Sequence, residues 1–94
     1  MIEIKQIKDK PKGRFAAVDE SREAGAIYYT SVGENRIILD HTEVDDTYRG
    51  QSIGKKILMH TVEFARENNI KIIPLCPYAK SVFDKTESIR DVLA

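Results

Sequence analysis

The apolar positions of this chain change their period near its middle. Up to residue 44 they alternate or fall in short blocks, the spacing of half-buried strands. Ile2, Ile4 and Ile7 mark a first strand over Met1 to Lys8, and Arg14 to Asp19 reads as a second. Ala24 to Val32 is a third, with Ala26, Tyr28 and Thr30 on one face and Ile27, Tyr29 and Ser31 on the other. The polar Glu20-Ser21-Arg22-Glu23 between them reads as loop. Gly33-Glu34-Asn35 is a short hairpin turn, and Arg36 to Val44 returns as a fourth strand. Then Ile53, Ile57, Leu58, Thr61, Val62, Phe64 and Ala65 recur at helical spacing. They predict a helix from Ser52 to about Glu67 that buries one stripe and stops at Asn68-Asn69. Lys71 to Leu75 is a fifth strand, parallel to the fourth if the helix is a crossover. Pro77 suits the first turn of a second short helix with Cys76 at its cap. Thr86 or Ser88 opens a last helical piece ending at Leu93.

This order predicts an α+β fold. A mainly antiparallel five-stranded sheet packs on one long helix, with one or two short helices at the C-terminal end and the fourth and fifth strands parallel and splayed. Pro74 carries the splay. It has no N–H for a ladder, so it argues against a fully paired central strand. Either the fifth strand is an edge, or it diverges from the fourth there and leaves a gap that a ligand can enter.

Composition narrows the classes. At 94 residues the chain is expected to be a single domain, residues 1–94. Fifteen Lys+Arg balance fifteen Asp+Glu, so no overall charge draws it to nucleic acid or membrane. The N-terminal segment is locally basic, with Lys5, Lys8, Lys10, Lys12 and Arg14. An exposed strand edge defended by lysines accounts for them better than a nucleic-acid patch, because no aromatic residues interleave as stacking platforms. The one cysteine, Cys76, excludes an internal disulfide. Nothing resembles a signal peptide or a membrane span, so a cytoplasmic location is the default expectation.

The candidate chemistry sits where the period changes. Tyr48-Arg49-Gly50-Gln51-Ser52-Ile53-Gly54-Lys55-Lys56 joins the fourth strand to the long helix. A glycine-bearing turn at a helix start gathers backbone N–H groups at the positive end of the helix dipole, a site for phosphate. It is not a P-loop: Gly50 to Gly54 is one residue short, and Lys56 stands where Ser or Thr should meet magnesium. It lacks both the spacing and the early parallel strand of a dinucleotide fingerprint. It does resemble the coenzyme A motif, [RQ]-x-x-G-x-[GA], of the GNAT superfamily of N-acetyltransferases. Asp40-His41-Thr42-Glu43-Val44 and Pro74-Leu75-Cys76-Pro77-Tyr78 look more like a small single-domain branch of it. The resemblance covers about residues 24 to 85.

That resemblance implies an acetyl-CoA ligand, with no metal. Main-chain N–H groups of Gln51, Ser52, Ile53, Gly54, Lys55 and Lys56 would hold the pyrophosphate beside Gly50, and the Val44 backbone would pair with the pantetheine arm like an added strand. Arg49, Lys55 and Lys56 would add charge, although the two lysines read equally well as a solvated helix face. The chain also departs from the pattern. Ser52 takes a place usually held by glycine and is expected to be already helical. In Cys76 to Lys85, Cys76 stands for the family's Asn. Phe83 replaces the Tyr that often protonates the departing thiolate. The family's usual N-terminal helices and final two strands, which commonly shape the acceptor site, have no counterpart here.

Acetyl transfer needs a neutral amine, access to the thioester carbonyl and a proton for the thiolate. His41 and Glu43 lie two apart on the fourth strand and share a side; a His is suited to proton transfer near neutrality. Cys76 at a helix N-terminus is placed to favour its thiolate. If the strands are neighbours, His41 and Cys76 face each other across the splay as base and nucleophile, allowing an acetyl-cysteine intermediate. The plainer readings are a small buried Cys76, a His41 that bridges strand and loop, and a surface Glu43. His60 falls in a polar register, and Tyr28, Tyr29 and Tyr78 read as packing residues. The sequence thus supports an acetyltransferase acting on a small-molecule or protein amine, or a coenzyme A binding module without turnover. A structural domain without a ligand is the blandest alternative.

Overall fold

The computed structural model describes residues 1–94. Four strands form an antiparallel meander: β1 (Ile2–Asp9), β2 (Lys12–Asp19), β3 (Arg22–Val32) and β4 (Arg36–Val44). A short 3-10 turn at Asp46–Tyr48 leads into α1 (Ile53–Glu67). The chain then crosses to β5 (Lys71–Pro74), which pairs parallel to β4 and completes the order β1-β2-β3-β4-β5. Helix α2 (Pro77–Lys85) and a 3-10 segment, Glu87–Val92, close the chain. The expected α+β fold is the observed one.

The helical stripe does what its spacing requires. Ile53, Ile57, Leu58, Thr61, Val62 and Ala65 are buried, and α1 lies across β2, β3 and β4. Each large apolar side chain withdrawn from water there contributes about 1.5–3 kcal/mol. Phe15, Ile27, Tyr29, Ile37, Leu39 and Ile72 supply the sheet's share of the core, and Phe83, Ile89 and Val92 extend it. Thr61, the one buried polar residue, donates its hydroxyl to the carbonyl of Ile57. Asn68 ends α1 with its side-chain amide on the Phe64 carbonyl, and Asn69 follows in the left-handed region, φ 54°. Arg66 ties this end to the C-terminal segment through Asp91 and the Ser88 carbonyl.

Two local expectations need correction. Glu20–Arg22–Glu23 is not a loop. The turn narrows to Glu20 and Ser21, with Glu20 at φ 58°, and β3 already begins at Arg22. Cross-strand pairing wins there: Arg14 grips Glu23 through two N–H groups at 2.8 and 3.3 Å. Ser52 is also not helical; it sits outside α1 at φ 56°, ψ 36°.

β4 carries a bulge. Tyr29 pairs with Leu39 and Tyr28 with His41, so Asp40 is the extra residue. A bulge shifts the alternation of the strand beyond it. Ile37 and Leu39 face the core, and after the bulge Thr42, not His41, pairs with the core residue Ile27. Gly25 packs where β3, β4 and α1 meet. A Cβ there would lie 2.8 Å from the Glu43 carbonyl oxygen and 3.1 Å from Ile53 Cγ2. Gly25→Ala is therefore expected to lower stability by about 1–3 kcal/mol, because backbone must move to admit it. Urea unfolding with an unchanged midpoint would contradict this packing.

Candidate functional site

The parting of β4 and β5 builds the site. Their pairing runs Arg36↔Lys71, Ile37↔Ile72, Ile38↔Ile73 and Leu39↔Pro74, and stops. Leu75 N–H turns back to the Ile73 carbonyl, and Cys76 N–H takes the Leu39 carbonyl at 2.9 Å. From His41 to Val44, β4 is paired only with β3. Pro74 thus ends β5, the last strand of the sheet, and marks the divergence.

Beyond Val44 the chain makes the glycine turn. Gly50 has φ 86° and Ser52 φ 56°. A left-handed serine costs roughly 1–2 kcal/mol relative to a glycine-like conformation. Here it carries the backbone into α1, whose first turn is open: the N–H groups of Gly50, Ser52, Ile53, Gly54 and Lys55 have no protein acceptor, and Ser52 makes no side-chain cap. By contrast Gln51 N–H is bound to the Tyr48 carbonyl and Lys56 N–H to the Ser52 carbonyl. Lys55 and Lys56 are exposed at this helix start. Arg49, at the start of the turn, holds its guanidinium on Asp46 at 3.0 Å.

A clasp that sequence reasoning missed holds the turn in place. Asp45 caps the 3-10 turn by accepting from Thr47 N–H at 2.9 Å, and Arg22 reaches both Asp45 and the Thr47 hydroxyl. Tyr48, buried, donates its hydroxyl to Asp19 at 2.9 Å, and the Arg22 guanidinium lies 5.5 Å from the centre of its ring. The signal was Asp45-Asp46-Thr47, a cap pattern next to the glycine turn; the long-range partners Asp19 and Arg22 left none. Gly54 presents its bare Cα to Tyr78 of α2. A Cβ there would meet the ring at 3.2 Å, so the tyrosine leans on the first turn of α1.

The candidate side chains separate onto the two faces of β4. Cys76, 2% exposed, caps α2, and its Sγ lies 3.1 Å from the Thr42 hydroxyl. His41 and Glu43 are on the opposite, solvent face, 3.5 Å apart. The His41 ring stacks on Tyr28 at 4.4 Å and 9°. The expected His41–Cys76 facing pair is not formed, because the Asp40 bulge turns His41 out and Thr42 in. Burial, then the Glu43 charge, pushes the Tyr28 hydroxyl above its ordinary pKa. Burial, then Cys76, does the same for Tyr78, so both phenols are protonated at neutral pH. Phe83 is core, and His60 is exposed as expected. A groove of about 630 Å³ runs along the solvent side of the β3–β4 end, lined by Tyr28, Glu43, Val44 and Asp45 among others.

The clasp gives the turn a pH dependence. The Tyr48 hydroxyl, and then the N-terminal ammonium, hold Asp19 below the ordinary carboxylate range. The Thr47 N–H first, then the Thr47 hydroxyl and Arg22, do so for Asp45. A lowered native pKa stabilises fully above the unfolded value, about 4, and the contribution is lost as pH falls through the native value. In Asp45→Asn the fall of Tm as pH drops below about 4 should therefore be shallower than in the parent chain. Parallel Tm curves would refute that coupling.

Comparison with known proteins agrees with this geometry. Residues 14–92 match the family described as GCN5-related N-acetyl-transferase. The chain is 34% identical over 71 residues to protein NATD1 of Homo sapiens and 31% identical to that of Danio rerio. Each alignment covers 74% of this chain, and 63% and 64% of those relatives, so the chain spans less than two thirds of their length. Among solved structures it is similar to a GCN5-like protein of Staphylococcus aureus, with TM-score 0.71 and 42% identity over 98% of this chain and 87% of that one. A ribosomal-protein-alanine N-acetyltransferase of Brucella melitensis shares the fold at 17% identity, with TM-score 0.70 over 82% of this chain and 62% of that one. The chain belongs to the GCN5-related N-acetyltransferase family.

Proposed function

We propose that this chain binds acetyl-CoA and transfers its acetyl group to an amine. The observation that carries the reading is the row of acceptor-free N–H groups at Gly50 and Ser52 to Lys55, set beside a β4 edge that β5 has left open. Those donors and the dipole of α1 suit a diphosphate. Gln51 and Ile53 complete the loop around it, and Lys55, Lys56 and a released Arg49 add positive charge. The Val44 end of β4 then receives the pantetheine arm as an added strand.

Two catalytic routes follow from the two faces of β4. In the direct route, His41 with Glu43 takes a proton from the amine, the nitrogen attacks the thioester carbon, and the coenzyme A thiolate departs. Tyr78, kept protonated beside the first turn of α1, is the proton source for that thiolate. In the covalent route, the Cys76 thiol, its Sγ 3.1 Å from the Thr42 hydroxyl, attacks the thioester carbon first, and its proton passes to the coenzyme A sulfur, which leaves as the free thiol. The amine later displaces the cysteine sulfur, giving its proton to His41, and the cysteine sulfur regains a proton from solvent. A binding module without turnover is the second reading. It is favoured by the separation of His41 from Cys76 and by the lack of a hydroxyl on Phe83.

Acetyl-CoA should raise Tm and move the amide signals of Gly50 to Lys56. Ser52→Val, a β-branched residue at positive φ, should weaken binding by about tenfold. Absence of any ligand-induced shift would remove the reading altogether. Intact-mass measurement after incubation with acetyl-CoA separates the routes: one added acetyl group, lost in Cys76→Ala, marks the covalent one. Coenzyme A release that depends on an added amine and survives Cys76→Ala marks the direct one. Stabilisation without amine-dependent release would leave a binding module.

A further inference from the structure

The end of the sheet remote from the glycine turn holds another cavity, of about 720 Å³. Its walls come from the β1–β2 and β3–β4 hairpins and from the C-terminal end of α1. Tyr29, Ile37, Phe64 and Ile70 supply the apolar surface, and Lys8 and Lys10 stand on the lining. The volume falls in the range of small-molecule sites, about 300–1,000 Å³.

The aromatic wall is built in. Phe15 packs on Tyr29 and, edge to face, on Phe64, both with ring centres 5.2 Å apart. Gly13 has no side chain because the Tyr29 ring occupies its place; a Cβ would lie 2.5 Å from that ring. The Tyr29 hydroxyl accepts from the Gln6 amide at 2.8 Å and so is fixed. These contacts leave a preformed surface rather than one that collapses.

The charges are informative. Ile2, Ile4, Gln6 and Lys8 alternate onto one face of β1, and Ile2 and Ile4 on that face pack against the core. Lys8 continues that register but is exposed, as is Lys10, so both stand at the rim of the cavity. Edge protection can account for a lysine on an outer strand. It does not account for Lys10, which lies past the end of β1 in the turn. Neither lysine is in an ion pair. Glu34 is the single acidic residue on the lining, so the two cations outnumber it.

We propose that this cavity binds a small amphiphilic carboxylate, with its alkyl or aryl body on Phe64, Ile37 and Ile70 and its carboxylate between Lys8 and Lys10. Charge complementarity selects the head group, and the size of this open groove suits a body of roughly six to ten carbons. The site is separate from the glycine turn and does not depend on acetyl-CoA binding.

Amide-detected titration of the full chain with octanoate and with 3-phenylpropanoate tests this. Saturable shifts are expected at Lys8, Lys10, Gly33, Glu34, Phe64 and Ile70, with Gly50 to Lys55 unmoved. Octanol and octylamine should bind at least about tenfold more weakly. The double variant Lys8→Gln/Lys10→Gln should lose about fivefold or more in octanoate affinity at unchanged Tm, since charge-assisted contacts are removed without disturbing the core. The proposal is overturned if no saturable shift occurs, if octanol matches octanoate, if the double variant binds octanoate as before, or if only an acidic peptide and no small carboxylate binds.

Discussion

Leu39 is the last residue of β4 that β5 reaches, and the site depends on that limit. Pro74, opposite Leu39, has no N–H to extend the ladder. The Leu39 carbonyl is instead taken by Cys76 N–H, at the point where the chain enters α2. The bond that closes the sheet thus also starts the helix that leads the chain away. A residue with an N–H at 74 would remove one obstacle to zipping the strands together, and the open β4 edge would be lost with the cleft. The Asp40 bulge lies immediately beyond, so pairing and side-chain alternation both change within two residues.

The second condition is a turn held open by its neighbours. Gly50 and Ser52 lie in left-handed conformations, and the first N–H groups of α1 are left without acceptors. Such an arrangement is not locally favourable, and the cost must be met by neighbours. Tyr48 on Asp19 and Arg22 on Asp45 and Thr47 tie the turn to the far hairpin of the sheet. Those contacts join β2 and β3 to the loop after β4. They anchor the residues just before Ser52, which keeps a left-handed backbone where glycine would be relaxed.

The strands, the long helix and the capping role of Cys76 were legible because each rests on local periodicity or on one residue with a fixed backbone habit. The splay was legible for the same reason, through Pro74. The glycine turn was readable as a bend into a helix start, yet the state of Ser52 was not, since a serine gives no local signal for a left-handed backbone. The bulge left no trace either. Asp40 is an ordinary strand residue by composition, and only its register against Tyr28 and Tyr29 shows that it is unpaired. That one residue separated His41 from Cys76, a pair that strict alternation would have placed on one face. Thr42 and Tyr28 entered the site by the same shift. Arg22 and Glu23 were misread as loop because their polarity masks cross-strand ion pairs.

The bulge also limits what one acetyl group can meet at once. Thr42 and Cys76 lie on the helix side of β4, and His41, Glu43 and Tyr28 lie on the solvent side. Were acetyl-CoA bound as proposed, its thioester carbon between the splayed strands would be open to sulfur from one side and to an amine from the other. An imidazole on the solvent face can accept a proton from the incoming amine, but it has no direct line to the cysteine sulfur. A covalent cycle would therefore divide its labour: the thiol would receive the acetyl group with help from Thr42, and His41 would act only when the amine arrives. The direct route needs no such division. The same strand thus sets a geometric cost on one chemistry and none on the other, and that difference follows from the register of a single aspartate.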